Sequence, residues 1–161
     1  MLDVKVKTPN PDFAARVRES FARQPFMAFL GAALAEVKPG FVEMRLAHRG
    51  ELTQQHGFFH GGVVGALADN ACGYASFTTA PADHSILTVE YKLNLLAPAA
   101  GGVLIARGRI VRPGQTLVVS AADLFVLDEK TNAEKKVATA LATMMLMAGM
   151  DDGPAKRESE T

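Results

Sequence analysis

The residues best suited to chemistry lie in one stretch, Gln54-Gln55-His56-Gly57-Phe58-Phe59-His60-Gly61-Gly62-Val63-Val64-Gly65-Ala66-Leu67-Ala68-Asp69-Asn70. His60-Gly61-Gly62 stands where helical spacing of apolar residues begins. The first turn of a helix leaves backbone N–H groups without partners, and its dipole favours negative charge. Glycine lets a ligand come close to that backbone. The pair is therefore either a tight turn or an oxyanion or anion site. Asp69 follows Gly61 by eight residues, amid Leu67, Ala68, Ala71 and Cys72, where it cannot cap the helix. A buried carboxylate is costly unless paired or hydrogen-bonded. No Lys or Arg lies three or four residues away to pair with it. Either Asp69 and Asn70 mark a solvated stripe, or Asp69 bonds a structural partner on a strand, or the carboxylate is kept for catalysis.

Geometry constrains the catalytic option. Asp69 lies ~12 Å along the helix from Gly61, at ~1.5 Å per residue. One scissile carbonyl cannot touch both groups of the same helix. If both act on one bond, they come from different subunits, which implies a dimer with two composite sites.

The elements that must hold these residues are legible in outline. Asn10-Pro11-Asp12 predicts a helix through Arg23, with Asn10 as N-cap and Pro11 at the first helical position. Phe26 to Leu30 reads as a second short helical turn. Strands are expected over 32–37 and 41–47, split by the turn Lys38-Pro39-Gly40. In the second, Val42, Met44 and Leu46 face one way, and Glu43 and Arg45 the other. From Gly61 to Phe77, small and apolar residues lie nearly all round, predicting a thin buried helix. Strands follow over 85–97, 103–111, 116–127 and 135–148, separated by turn residues. Short connections favour antiparallel neighbours, and a sheet with one apolar face needs a cover. The Gly61 helix is the only long candidate. The expected class is α+β. A helical segment over 1–24 precedes the main domain over 25–149, and a charged tail over 150–161 is expected to be disordered.

Composition excludes several functions. The 161 residues carry 17 basic and 17 acidic side chains, so no phosphate-neutralising surplus exists and nucleic acid is not an expected partner. Cys72 is the one cysteine, no Cys/His cluster suggests zinc, and no metal or cofactor is expected. No apolar run reaches the ~18 residues of a membrane helix, and the first residues lack a signal-peptide core. A cytoplasmic location without membrane association is the expectation.

The pattern His60-Gly61-Gly62, a small apolar stretch, then Leu67-Ala68-Asp69 resembles the hotdog-fold thioesterases of the phenylacetate-degradation type. The likeness extends through Leu87-Thr88-Val89-Glu90-Tyr91, Leu96-Ala97-Pro98 and Arg112-Pro113-Gly114-Gln115-Thr116, and spans about Phe26 to Met147. It implies an antiparallel sheet wrapped around one central helix. It also implies hydrolysis of an acyl-CoA, with CoA entering as part of the substrate rather than as a cofactor. Gly61 would polarise the thioester carbonyl, and Asp69 of the partner subunit would act as nucleophile or general base. Thr88 would help hold the water or Asp69. Gln54 replaces an Asn common in relatives. His60 would bond the neighbouring loop, beside Gly62, and Arg112, Gly114, Gln115 and Thr116 would lie near the CoA nucleotide or pantetheine. Assembly as a homodimer, or a dimer of dimers, is implied as well.

Acyl preference would depend on a pocket of Phe58, Phe59, Val63, Tyr74 and the partner's strands, the two phenylalanines hinting at an aromatic or medium-chain group. Cys72 reads as a core thiol. His56 reads as solvated, Asp123 as exposed, and His48 and His84 show no evident partners. Two alternatives remain: a non-catalytic acyl-CoA-binding protein, and a hotdog hydratase or dehydratase, though the His-Phe-Pro type of loop is lacking.

Overall fold

A computed structural model describes residues 6–150 and 152. Two short helices, α1 (Phe13–Ala22) and α2 (Pro25–Leu30), precede strands β1 (Ala33–Lys38) and β2 (Phe41–Ala47). The long helix α3 (Gly61–Phe77) then crosses the molecule. Strands β3 (His84–Leu95), β4 (Val103–Arg112), β5 (Leu117–Asp128) and β6 (Ala133–Ala148) complete it. All six strands form one antiparallel sheet, in the order β1-β2-β4-β5-β6-β3. The sheet wraps around α3, the hotdog arrangement. The sequence expectation was right in class and placed both ends of α3 correctly.

Small residues make the wrapping possible. Across the sheet, Val42, Gly108, Ala122, Ala140 and Leu93 pair in register. A Cβ built on Gly108 would stand 2.0 Å from the Ala71 carbonyl oxygen, so helix and sheet touch backbone to backbone. Ala68, Ala71, Cys72 and Ala75 on the helix are fully buried, as are Ala106, Ala122 and Ala142 on the strands. Gly108→Ala is therefore expected to cost about 3 kcal/mol or more, the upper end of overpacking penalties. A urea melt should show a lower midpoint, and an unchanged midpoint would contradict the close approach.

Two details differ from the sequence reading. Helix α1 begins at Phe13, not Pro11, and its N-cap Asp12 makes no side-chain cap. Asn10 instead uses Oδ1 to accept from the Asp12 N–H at 3.0 Å, a local turn that competes with helix entry. Glu43, expected to face solvent, is buried. Burial alone would raise its pKa, but the Arg107 and Arg45 guanidiniums, each at 2.8 Å, outweigh that and hold it below the usual range. Of the tail over 150–161 that was expected to be disordered, all but Met150 and Asp152 lies outside the described residues.

Candidate active site

His60 is the N-cap of helix α3. Its extended backbone (φ −61°, ψ 139°) turns the chain into the helix, and its ring Nδ1 accepts from the Gly62 N–H at 2.9 Å. The His60 N–H is held by the Leu52 carbonyl at 2.8 Å, tying the preceding loop to the helix start. The Val63 and Val64 N–H groups are bonded to the His60 carbonyl. Among the described residues, no hydrogen bond takes the Gly61 N–H. His60 thus caps the neighbouring amide and leaves the Gly61 donor at the positive end of a 17-residue helix.

That donor lies beside a cavity of about 450 Å³ lined by Gln54, Phe58, Phe59, Gly61 and Leu95 to Ala99 among others. Gln54 approaches it from the loop, its side-chain Oε1 accepting from the His56 N–H and its backbone N–H bonded to Phe58 at 2.9 Å. Loop and helix entry therefore form one hydrogen-bonded unit.

Asp69 occupies a different cavity, of about 140 Å³. Its carboxylate is half-buried and accepts one hydrogen bond from the Thr88 hydroxyl, at 2.8 Å. Thr88 sits beside a register shift in the β3–β6 pairing, between Thr88 and Glu90. Bulges of this kind re-aim side chains next to functional groups. Burial pushes the Asp69 carboxyl above its ordinary pKa, and the Thr88 bond works against that rise. No ion pair involves Asp69 among the described residues, so the charge rests on a single hydroxyl donor. Asp69 is thus only partly exposed, and the strand partner foreseen for it is the Thr88 hydroxyl on β3.

The sequence-derived candidates thus fall into separate places. Gln54, Phe58, Phe59 and Gly61 come together, and Asp69 and Thr88 come together elsewhere. The pocket expected to join Phe58 and Phe59 with Tyr74 is split within one chain, because Tyr74 lines the Asp69 cavity. Gly114 and Gln115 line a third cavity, of about 620 Å³, with Lys7 and His84, while Arg112 and Thr116 are exposed at its turn. His48 and His84 do have partners, the Gly57 carbonyl at 3.1 Å and Asp83 at 2.8 Å. Burial raises the Cys72 thiol pKa to about 12, which suits a core residue and not a nucleophile. Asp123 is not free on the outer face, since Lys136, Thr139 and Arg109 all reach it.

Sequence reasoning missed the far wall of the Asp69 cavity. Ser20 and Gln24, from α1 and the turn after it, meet Tyr74 and Gly73 there. The Gln24 amide donates to the Tyr74 hydroxyl at 2.9 Å, and Ser20 Oγ lies 3.2 Å from it. Fifty residues separate Gln24 from Tyr74, and no local pattern announces such a contact.

The fold is shared with known proteins. Residues 56–133 match the family model described as Thioesterase superfamily. The solved structure of a thioesterase family protein from Silicibacter pomeroyi is 44% identical, with a TM-score of 0.82, over 85% of this chain and 99% of that one. The PaaI protein of the E. coli phenylacetic acid degradation operon shares the fold, at 19% identity and a TM-score of 0.75, over 86% of this chain and 95% of that one. A protein of Halobacterium salinarum named "Putative esterase" is 28% identical over 128 residues, 76% of this chain and 84% of its own. With its six-stranded sheet, central helix and close solved relative, the chain belongs to the thioesterase superfamily.

Proposed function

We propose that the protein hydrolyses an acyl-CoA to the free acid and CoA, at sites that two subunits build together. One observation carries the reading: a half-buried carboxylate, Asp69, and an unclaimed amide, Gly61 N–H, lie on one helix but in different cavities. Each supplies half of what thioester hydrolysis needs, namely carbonyl polarisation and an activated oxygen nucleophile. A second copy would bring the halves together.

The docking surface for that copy is strand β3. It ends the sheet, so among the described residues one of its edges has no strand beside it. Over twelve residues it exposes Leu87 (48%), Val89 (53%) and Leu95 (59%). A long apolar edge strand invites pairing. Leu95 also touches the Gly61 position, with 3.4 Å from its Cδ1 to a built Cβ, so an interface at β3 reaches the helix entry. On the outer face of the sheet, exposed Leu117 and Leu141 offer a second apolar surface for a dimer of dimers.

In the composite site, Gly61 of the partner subunit donates to the thioester oxygen. Asp69 takes a proton from water as the water oxygen adds to the carbonyl carbon. The C–S bond then breaks, and Asp69 passes that proton to the departing sulfur. Alternatively its carboxylate adds to that carbon, and the thiolate leaves and takes its proton from solvent. Water then hydrolyses the acyl–Asp69 anhydride to the free acid and the restored carboxylate. Within the superfamily, the His60-Gly61-Gly62 and Leu67-Ala68-Asp69 pattern favours the phenylacetate-degradation type. The test is release of free thiol from a panel of acyl-CoA esters by the purified protein. Binding without thiol release would overturn the reading.

The pH profile follows from the site. Asp69 must be ionised to act, so kcat/KM rises with pH through its raised pKa. Thr88→Val removes the hydrogen bond that favours the charged form, so the acid limb is expected to move to higher pH. A limb that stays in place would mean that Asp69 does not set it.

A further inference from the structure

Strand β3 lies along α3 in a fixed alignment. The Thr88 hydroxyl bonds Asp69 at 2.8 Å. The Tyr91 hydroxyl stands over Gly65, 3.1 Å from where a Cβ would be, and Leu95 Cδ1 stands over Gly61 at 3.4 Å. The strand therefore runs from Asp69 back to Gly61, with Tyr91 midway. Gly65 lies about 6 Å along the helix from each of the two reactive groups. A two-fold axis that sets Gly61 of one chain against Asp69 of the other passes that midpoint. On β3 the residue nearest the axis is Tyr91.

The charges of β3 point to the same axis. Tyr91 and Leu93 pair with the buried Ala142 and Ala140, so they face the helix. Glu90 and Lys92 lie on the outer face, exposed, opposite Thr143 and Leu141. The Thr143 hydroxyl donates to Glu90 Oε1 at 2.6 Å, which orients the carboxylate and leaves Oε2 open. Among the described residues, Lys92 makes no ion pair. From Glu90 to Leu95 the strand is regular, since its register shift lies before Glu90. When identical strands pair antiparallel, the residue at the axis faces its own copy. Residues equally far from the axis on either side face each other. With Tyr91 at the axis, Glu90 faces Lys92 of the partner subunit, and the contact occurs twice. A slip to Lys92 sets that lysine against its own copy, and a slip to Glu90 sets two carboxylates together. Like charges directly opposite each other are unfavourable.

We propose that β3 pairs with β3 of a second copy, antiparallel and centred on Tyr91, and that the two Glu90–Lys92 contacts fix this register. The proposal rests on the shared site and deepens it. Glu90 and Lys92 are positioning residues: they face away from α3, yet they align Gly61 with Asp69 of the partner subunit. Moving the centre by one residue displaces one strand against the other by two residues, about 7 Å at ~3.4 Å per residue. Such a slip separates the two reactive groups. Charge therefore acts here on register, and through register on the reaction.

The experiment is sedimentation velocity over a dilution series, with thiol release from a panel of acyl-CoA esters measured on the same samples. It compares the wild type, Glu90→Lys, Lys92→Glu and the double exchange. Each single exchange sets two like-charged pairs across the axis, so the dimer dissociation constant should rise about tenfold or more. The double exchange restores two opposite-charge pairs and should return the constant to near its wild-type value. Thiol release at low protein concentration should fall with each single exchange and recover with the double one. That recovery separates a register effect from misfolding, which a second exchange would not repair. With Lys92 or Glu90 at the axis instead, the wild type already sets like charges together, and the single exchanges would not act alike. The register falls if either single exchange leaves the dissociation constant unchanged. It falls too if the double exchange fails to recover, or if the wild type stays monomeric. Thiol release that persists in any of these cases leaves hydrolysis standing. If association behaves as expected but no ester releases thiol, hydrolysis falls and the register stands on its charges.

Discussion

Asp69→Asn is expected to lower kcat about 10³-fold, within the ~10² to 10⁴ that a positioned base contributes, and by more if the carboxylate attacks directly. The amide keeps the size of the side chain and still accepts from Thr88, so the site should remain folded. Stability should move the other way. The folded protein holds the Asp69 pKa above its unfolded value, chiefly through burial. The sign follows from linkage: protons bind the folded state more tightly at this group, so ionisation costs stability once the pH passes the raised pKa. At neutral pH, Asp69→Asn removes that cost, and the Tm should rise. The gain should shrink as the pH falls toward the ordinary carboxylate range. A variant that is inactive yet more stable would mark Asp69 as kept for chemistry. A variant that is inactive and less stable would mark it as structural.

Gly61→Pro is the second large effect. Proline lacks the N–H, and the first helical position is where a helix tolerates it best. His60 already has the extended ψ of 139° that a residue before proline requires. The added Cβ meets only Leu95, at 3.4 Å, an ordinary contact. Removing one oxyanion donor costs about 10² to 10³ in kcat, so the variant should be nearly inactive while folded. Mixing then tests the shared site. Unfolded together and refolded in equal amounts, Asp69→Asn and Gly61→Pro chains should recover about one quarter of wild-type activity. Random pairing makes half of the dimers mixed, and each mixed dimer holds one site with both groups intact. No recovery would place Asp69 and the donor in the same subunit, against the ~12 Å that separates them along the helix.

What could be read from the sequence depended on the range over which each signal acts. Helix α3 announces itself through the 3.6-residue recurrence of Val63, Val64, Leu67, Ala71 and Ala75 and through His60 at its cap, so both of its ends were legible. Strand β2 was legible through Val42, Met44 and Leu46, and its boundaries match. The start of α1 was not, because Asn10 closes a turn on Asp12 rather than capping the helix, and both geometries suit the same residue type. Glu43 read as solvent-facing from alternation alone. Its burial depends on Arg107, far along the chain, arriving on the neighbouring strand.

The candidate site divides along the same line. The sequence by itself determined the reactive inventory, Gly61, Asp69 and the ~12 Å between them, because helical rise converts residue number into distance. It also determined that Thr88 follows on a strand. Only the tertiary structure decided that Thr88 turns onto Asp69, that Gly61 and Asp69 face different cavities, and that Ser20 and Gln24 close the second one on Tyr74. These are contacts between residues 19 to 54 positions apart. They exist because the row of small residues through Gly108 lets the sheet close tightly around α3. Periodicity describes an element's own faces and says nothing about which distant side chain will meet them.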